Sequence, residues 1–190
     1  MFPIYCYNKS MHTFSDPNKI IEDLPVFPGN HVADLGAGSG NYVFALAKKI
    51  DSDSQSRIFA VDIQKALLER IDAESQAQGY SCVKTVWGDI EKKEGSRLRQ
   101  YSMDVVFIIN TLFQVEHKEI LVQEAHRILK PNGILVIIDW SDSFGNIGPR
   151  EDHIFTSEKA RELSEHVGFL FEKTFNTGEH HYGFIVRKLA

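Results

Sequence analysis

From about residue 31 to the C-terminus, short runs of β-branched and other apolar residues alternate with stretches whose apolar positions recur every three or four residues. The first pattern fits buried strands and the second fits helices with one face against a sheet, so the alternation predicts βα units around a parallel sheet. The strand-like runs are HVADL (31–35), RIFAVD (57–62), CVKTVWGD (82–89), MDVVFIIN (103–110) and GILVIIDW (133–140). Helical stripes fall at Val43, Leu46, Ala47 and Ile50, at Ala125, Ile128 and Leu129, and at Ala160, Leu163 and Val167. Lys130-Pro131-Asn132-Gly133 reads as a helix stop and a turn, Thr156 or Ser157 as an N-cap, and Gly168 as a left-handed C-cap. Beyond Gly168 only Asn-Thr-Gly-Glu separates FLFEKTF from HHYGFIVRK, which is hairpin chemistry, so the last strand is expected to run antiparallel. Phe169, Phe171 and Phe175 are expected in the core. Asp16-Pro17 reads as the cap and first turn of a short helix reaching Leu24, with residues 1–15 as a loose arm before it.

Length and composition bound the class. At 190 residues and 43% hydrophobic, one domain is expected, with residues 1–30 as arm and short helix and 31–190 as core. The formal charge of −5 offers no positive field for phosphate backbones or anionic lipid, so nucleic acid is not an expected partner. Cys6 and Cys82 make no disulfide framework, and no apolar run approaches the ~20 residues that span a bilayer. A cytoplasmic protein is expected.

The segment richest in chemistry is Val32-Ala33-Asp34-Leu35-Gly36-Ala37-Gly38-Ser39-Gly40-Asn41, a strand running into a glycine-rich turn and a helix. Glycines there let a ligand touch backbone at the carboxyl end of the sheet, and the helix N-terminus offers free N–H groups. A dinucleotide fingerprint needs G-x-G-x-x-G, and here the third glycine comes one position early, with Asn41 in its place. Asp34 discriminates better, because a carboxylate there repels a pyrophosphate but suits a ligand bearing an ammonium and a sulfonium. Asp62 ends the second strand, where ribose hydroxyls would meet an acidic acceptor. Asp89 could accept from an adenine amino group while Ile63 and Ile90 sandwich the ring.

VADLGAGSG, the Asp62 of VDIQ, GDI, IINTLFQVEH and LKPNGILVIIDW resemble, in order, the consecutive motifs of class I methyltransferases that use S-adenosylmethionine (SAM). The resemblance runs from about residue 30 to the end and is greatest to the short, small-molecule type. It implies a doubly wound, Rossmann-like α/β fold with a seven-stranded sheet in order 3-2-1-4-5-7-6, strand 7 antiparallel. It also implies that Asp34 and Gly36, Ala37, Gly38 and Gly40 line the methionine portion, Asp62 the ribose, Asp89 with Ile90 the adenine, and Asn110 the methionine moiety. Asn110-Thr111-Leu112-Phe113 lacks the Pro-Pro-aromatic clamp of many amide and exocyclic-amine methylating enzymes, which disfavours DNA bases and glutamine as acceptors.

Eight histidines raise the question of a metal, but His180 and His181 are adjacent on a strand and point to opposite faces, so no metal is expected. Glu116, His117, Asp139 and Trp140 follow strands four and five and are expected to rim the sulfonium end, as candidate substrate contacts together with His153. If the acceptor must lose a proton, His117, Asp139 or His153 could take it. The substrate surface is expected from residues 1–15, the segment after Asn110 and the loop 141–155. Two other readings stay open: a noncatalytic SAM-binding protein, and an NAD-dependent oxidoreductase.

Overall fold

The structure is a computed structural model, described here for residues 16–143 and 148–190; the expected arm, 1–15, and residues 144–147 of the expected substrate loop lie outside the described residues. In chain order the elements are α1 (Pro17–Asp23), β1 (His31–Leu35), α2 (Asn41–Ile50), β2 (Arg57–Asp62), α3 (Lys65–Gln78), β3 (Val83–Trp87), β4 (Met103–Ile109), α4 (Lys118–Ile128), β5 (Leu129–Trp140), α5 (Ser157–Val167), β6 (Phe169–Thr174) and β7 (His181–Lys188). One sheet of seven strands runs in the order β3-β2-β1-β4-β5-β7-β6, with β7 antiparallel to both neighbours and the inner pairs parallel. The expected sheet order and final reversal are both present.

Local chemistry accounts for the ends of the helices. Asp16 accepts from the Asn18 N–H at 3.0 Å and Pro17 opens α1, while Lys49 of α2 donates to the Ile21, Glu22 and Leu24 carbonyls and closes it. Thr156 caps α5 and Gly168, at φ +108°, ends it. Two apolar layers sandwich the sheet. Val43, Leu46, Ala47 and Ile50 of α2 pack with α1 on one face, and Leu121, Val122, Ala125 and Ile128 of α4 pack with α5 on the other.

Three expectations need correction. The strand–helix rhythm breaks once, because residues 88–102, which cross the sheet from β3 to β4, contain no helix. Pairing with β4 begins at Leu129, so that residue opens β5 rather than ending a helix, and the Lys130–Gly133 turn sits inside the strand. There Asn132 adopts φ +65° and the register jumps from Met103↔Leu129 to Val105↔Ile134. Phe169 is buried, but a bulge between Phe171 and Lys173 reverses the alternation, so Phe175 packs on the α2 face while Phe169 and Phe171 face α5, and Phe171 and Phe175 are only partly buried.

Candidate active site

At the carboxyl ends of β1, β2 and β4 lie two adjoining hollows that share Gly36, Gly38 and Gln114. The first is lined by Asp62, Ile63, Gln64, Asp89, Ile90, Glu91, Thr111 and Val115, the second by Asp34, Ala37, Asn41, Tyr42, Ile109 and Asn110. Together they form one cleft at the point where the strand order reverses, since β1 is flanked by β2 on one side and β4 on the other.

The glycine turn is built by backbone and braced by a carboxylate. Gly36 stands at φ +89°, and a Cβ there would meet the Thr111 hydroxyl at 2.7 Å. Gly38, at φ +54°, has no close neighbour for a Cβ, so its open side belongs to the cleft. The Gly38 N–H donates to Asp62 Oδ2 at 2.9 Å, and Gln64 N–H donates to Asp62 Oδ1 at 2.8 Å. Asp62 therefore fixes the turn while each of its oxygens keeps a second lone pair. Gly40, expected in the ligand-binding turn, lines neither hollow. It is the N-cap residue of α2, packed so tightly that a Cβ would meet Ile71 at 2.8 Å, which explains a third glycine at that spacing.

The second hollow holds two unsatisfied acceptors. Asp34 is 2% exposed and its Oδ1 has no hydrogen-bond partner; burial, and then the Asp62 charge, push its carboxyl up to about 7. Asn110, at φ +50°, donates its N–H to the Ile138 carbonyl at 2.8 Å, while its buried Oδ1 is also unpartnered. Two buried oxygens without donors at one end of a cleft call for a cationic or multiply donating ligand group. In the first hollow Ile63 is 56% exposed, an apolar side chain left open beside the half-buried Ile90. Asp89 is held below the usual carboxylate range by its contact with Lys92, at 2.8 Å.

The four residues expected to rim one end do not gather. Asp139 is 1% exposed, its Oδ2 accepts from the N–H groups of Thr111 (3.1 Å) and Leu112 (2.8 Å), and its Oδ1 accepts from Trp140 N–H at 2.8 Å. It anchors the turn after β4. Burial pushes its carboxyl up to about 6 against the pull of those amides. Trp140 points to the opposite face, as adjacent strand residues must. Glu116 and His117 line a shallower hollow with Ile63, Asp89, Glu91 and Lys92, because the turn after Asn110 carries the chain back toward β2 and β3. His153 is exposed in the 3-10 turn Glu151–His153 and lines none of these hollows.

Residues unmarked by the sequence complete the cleft. Gln114 borders both hollows and donates from Nε2 to the Asn110 carbonyl at 3.0 Å; it and Thr111 lie in the segment after Asn110 expected to meet substrate. Glu91 accepts from the N–H groups of Glu116 (2.6 Å) and His117 (2.9 Å) and so caps α4 across 25 residues of chain, a contact no local pattern announces. Among the described residues no cluster of three or more His, Cys, Asp or Glu side chains could hold a metal ion, and no helix is long and apolar enough to cross a membrane.

Comparison with known proteins agrees with this geometry. A ubiquinone/menaquinone biosynthesis C-methyltransferase of Hydrogenovibrio crunogenus is 28% identical over 121 residues, covering 64% of this chain and 46% of that protein. Phosphoethanolamine N-methyltransferase 3 of Arabidopsis thaliana is 28% identical over 126 residues, 66% of this chain and 24% of that protein. The chain thus spans half or less of the length of these curated relatives. In structure it is similar to a SAM-dependent methyltransferase from Aquifex aeolicus, with a TM-score of 0.83 at 21% identity over 96% of this chain and 94% of that one. The family model described as a methyltransferase domain matches residues 27–178, from just before β1 to the β6–β7 link, and the chain belongs to that family.

Proposed function

We propose that the chain transfers a methyl group from SAM to a small-molecule acceptor. The observation that carries this reading is the buried, unpartnered Asp34 oxygen on the floor of a glycine-lined hollow, where an ammonium would supply the missing donor and compensate the charge. Asp34 and Asn110 would hold the amino-acid end, Asp62 the ribose hydroxyls, and Ile63 with Ile90 the faces of the adenine. A dinucleotide fits worse, because its pyrophosphate would lie against the carboxylates of Asp34 and Asp62. SAM supplies an electrophilic methyl on a sulfonium. The chain's own part is to bind, to orient the acceptor and to exclude water, and proximity of that kind can provide most of the rate. The relatives' names include quinone and phosphoethanolamine methylation, which supports a small acceptor and chooses none.

Calorimetry against SAM, S-adenosylhomocysteine and NAD tests the cofactor, and methyl-labelled SAM with a metabolite extract tests turnover. Binding of the first two but not NAD, with label entering a small molecule, is expected. In Gly38→Ala the new methyl projects into the cleft with no protein atom closer than 3.9 Å, so affinity should fall at least ~10-fold while the fold stays intact, at a backbone cost of about 1 kcal/mol. Unchanged affinity in that variant would move the ligand elsewhere.

A further inference from the structure

His181, the first residue of β7, pairs in register with Trp140, the last of β5, at the carboxyl edge that carries the cleft. Four residues further along β7, Ile185 packs on the α2 face, as does Ile138 two residues before Trp140, so both rings lie on that face. Asp34 also faces that side, two strands from Trp140 and three from His181, lateral distances of roughly 10 and 14 Å. The imidazole and the indole are 4.2 Å apart between ring centres, tilted by 37°. His181 is 9% exposed, and its Nδ1 lies 3.3 Å from the Glu179 carbonyl oxygen, which therefore fixes the proton on Nδ1. Nε2 is left as a lone pair, buried, with no partner. Of the four buried side-chain atoms without a partner among the described residues, Asp34 Oδ1, Asn110 Oδ1 and His181 Nε2 stand at this one edge, and the fourth, Ser75 Oγ, is in α3.

We propose that Trp140 and His181 form the inner wall of the acceptor pocket, and that His181 Nε2 receives the proton of an uncharged, flat acceptor carrying a hydroxyl group. This rests on the cofactor reading above and assigns it an acceptor class. The charged groups nearest the imidazole are Asp142 and His180, paired with each other at 2.6 Å, while Asp139 lies on the other face. Burial keeps the His181 ring uncharged, so it attracts neither a cation nor an anion and suits a neutral donor. A neutral amine offers its lone pair unaided, whereas a hydroxyl must lose its proton as the new bond forms. The hydroxyl oxygen's lone pair then forms the bond to the methyl carbon, the carbon–sulfur bond breaks with its pair left on sulfur, and the O–H proton passes to His181 Nε2. Because Nε2 is buried and the indole packs both on the imidazole and against Gly148, entry of the acceptor requires the Trp140 ring to turn aside.

The test uses the full chain carrying Trp87→Phe, which leaves Trp140 as the one indole of the two in the sequence, saturated with S-adenosylhomocysteine whose binding is measured first. Phenol is titrated against anisole, the same ring without a proton to give. Phenol is expected to change Trp140 emission with ~10-fold higher affinity than anisole, the worth of one good hydrogen bond, and His181→Ala is expected to bring the two within about twofold. Nitrogen NMR of histidine-labelled protein needs no change at His181: Nε2 should be unprotonated at pH 7 and shift with phenol but not with anisole. Equal affinities, or an Nε2 that does not respond, overturn the assignment. If S-adenosylhomocysteine fails to bind, the cofactor reading falls and takes this with it; if it binds and phenol is not preferred, only this inference falls.

Discussion

Two buried carboxylates at strand ends, Asp34 and Asp139, differ in what meets them. Asp139 receives three backbone N–H groups, which makes it part of the scaffold under the turn that follows β4. Asp34 has an oxygen that nothing in the described chain satisfies. Sequence position could not separate them, because each follows a run of apolar residues, and the partners of Asp139 come from 27 and 28 residues earlier. The contrast makes a prediction that the candidacy of Asp139 as a base would not. Asp139→Ala leaves buried amides unpaired and should cost about 2 to 4 kcal/mol in urea unfolding. Asp139→Asn keeps one carbonyl oxygen for Thr111 and Leu112 and should cost about half as much. Under the anchoring role neither variant removes a limb of the pH–rate profile; losing a limb in Asp139→Asn would restore Asp139 as the base.

Elements were most legible where a local rule set their ends. The caps at Asp16, Thr156 and Gly168 each rest on chemistry within three residues, and the strands at 31–35 and 57–62 have the expected limits. What stayed hidden is long in range. Nothing in residues 88–102 says that they cross the sheet without a helix, because what holds them is α4. Glu124, 3% exposed, accepts from the Ser96 N–H at 3.1 Å, from the Ser96 hydroxyl and from Arg127, which also donates to the Leu98 carbonyl at 2.8 Å. Lys188 of β7 does similar work at the far end of α4, donating to the His126 and Leu129 carbonyls. Glu124→Ala would strand a part-buried guanidinium and a buried N–H, a loss of about 2 to 3 kcal/mol after allowing for the solvent that reaches Arg127. Hydrogen exchange should show the added opening concentrated in residues 94–102, with the β1–β2 amides changed only as far as global stability falls. Uniform acceleration would mean that the crossover is not held by this group.

At the scale of the whole molecule, strand order and ligand class were both accessible, the first through the order of the motifs and the second through the charge at Asp34. Which side chains share a hollow was not, since Trp140 and Asp139 are neighbours in sequence and face opposite sides of the sheet. The same buried charge links the cleft to global stability. In the free protein Asp34 titrates near 7 rather than the ordinary 3.8, so between those values the folded state holds a proton that the unfolded chain has lost. Stability from this group is therefore fully present at low pH and is given up as pH rises toward 7. An ammonium beside the carboxylate reverses the preference, because only ionised Asp34 pairs with it. Ligand affinity should consequently rise up to tenfold per pH unit below about 7 and level off above it. At pH 7.5, S-adenosylhomocysteine at 100 times its dissociation constant contributes about 2.7 kcal/mol, worth roughly 5 to 10 °C of Tm for a chain of this size. With ligand concentration fixed, scanning calorimetry at pH 5.5, 6.5 and 7.5 should show the gap between free and liganded Tm widening as pH rises. A gap that is constant across that range, with binding intact, would show that the ligand's ammonium does not reach Asp34.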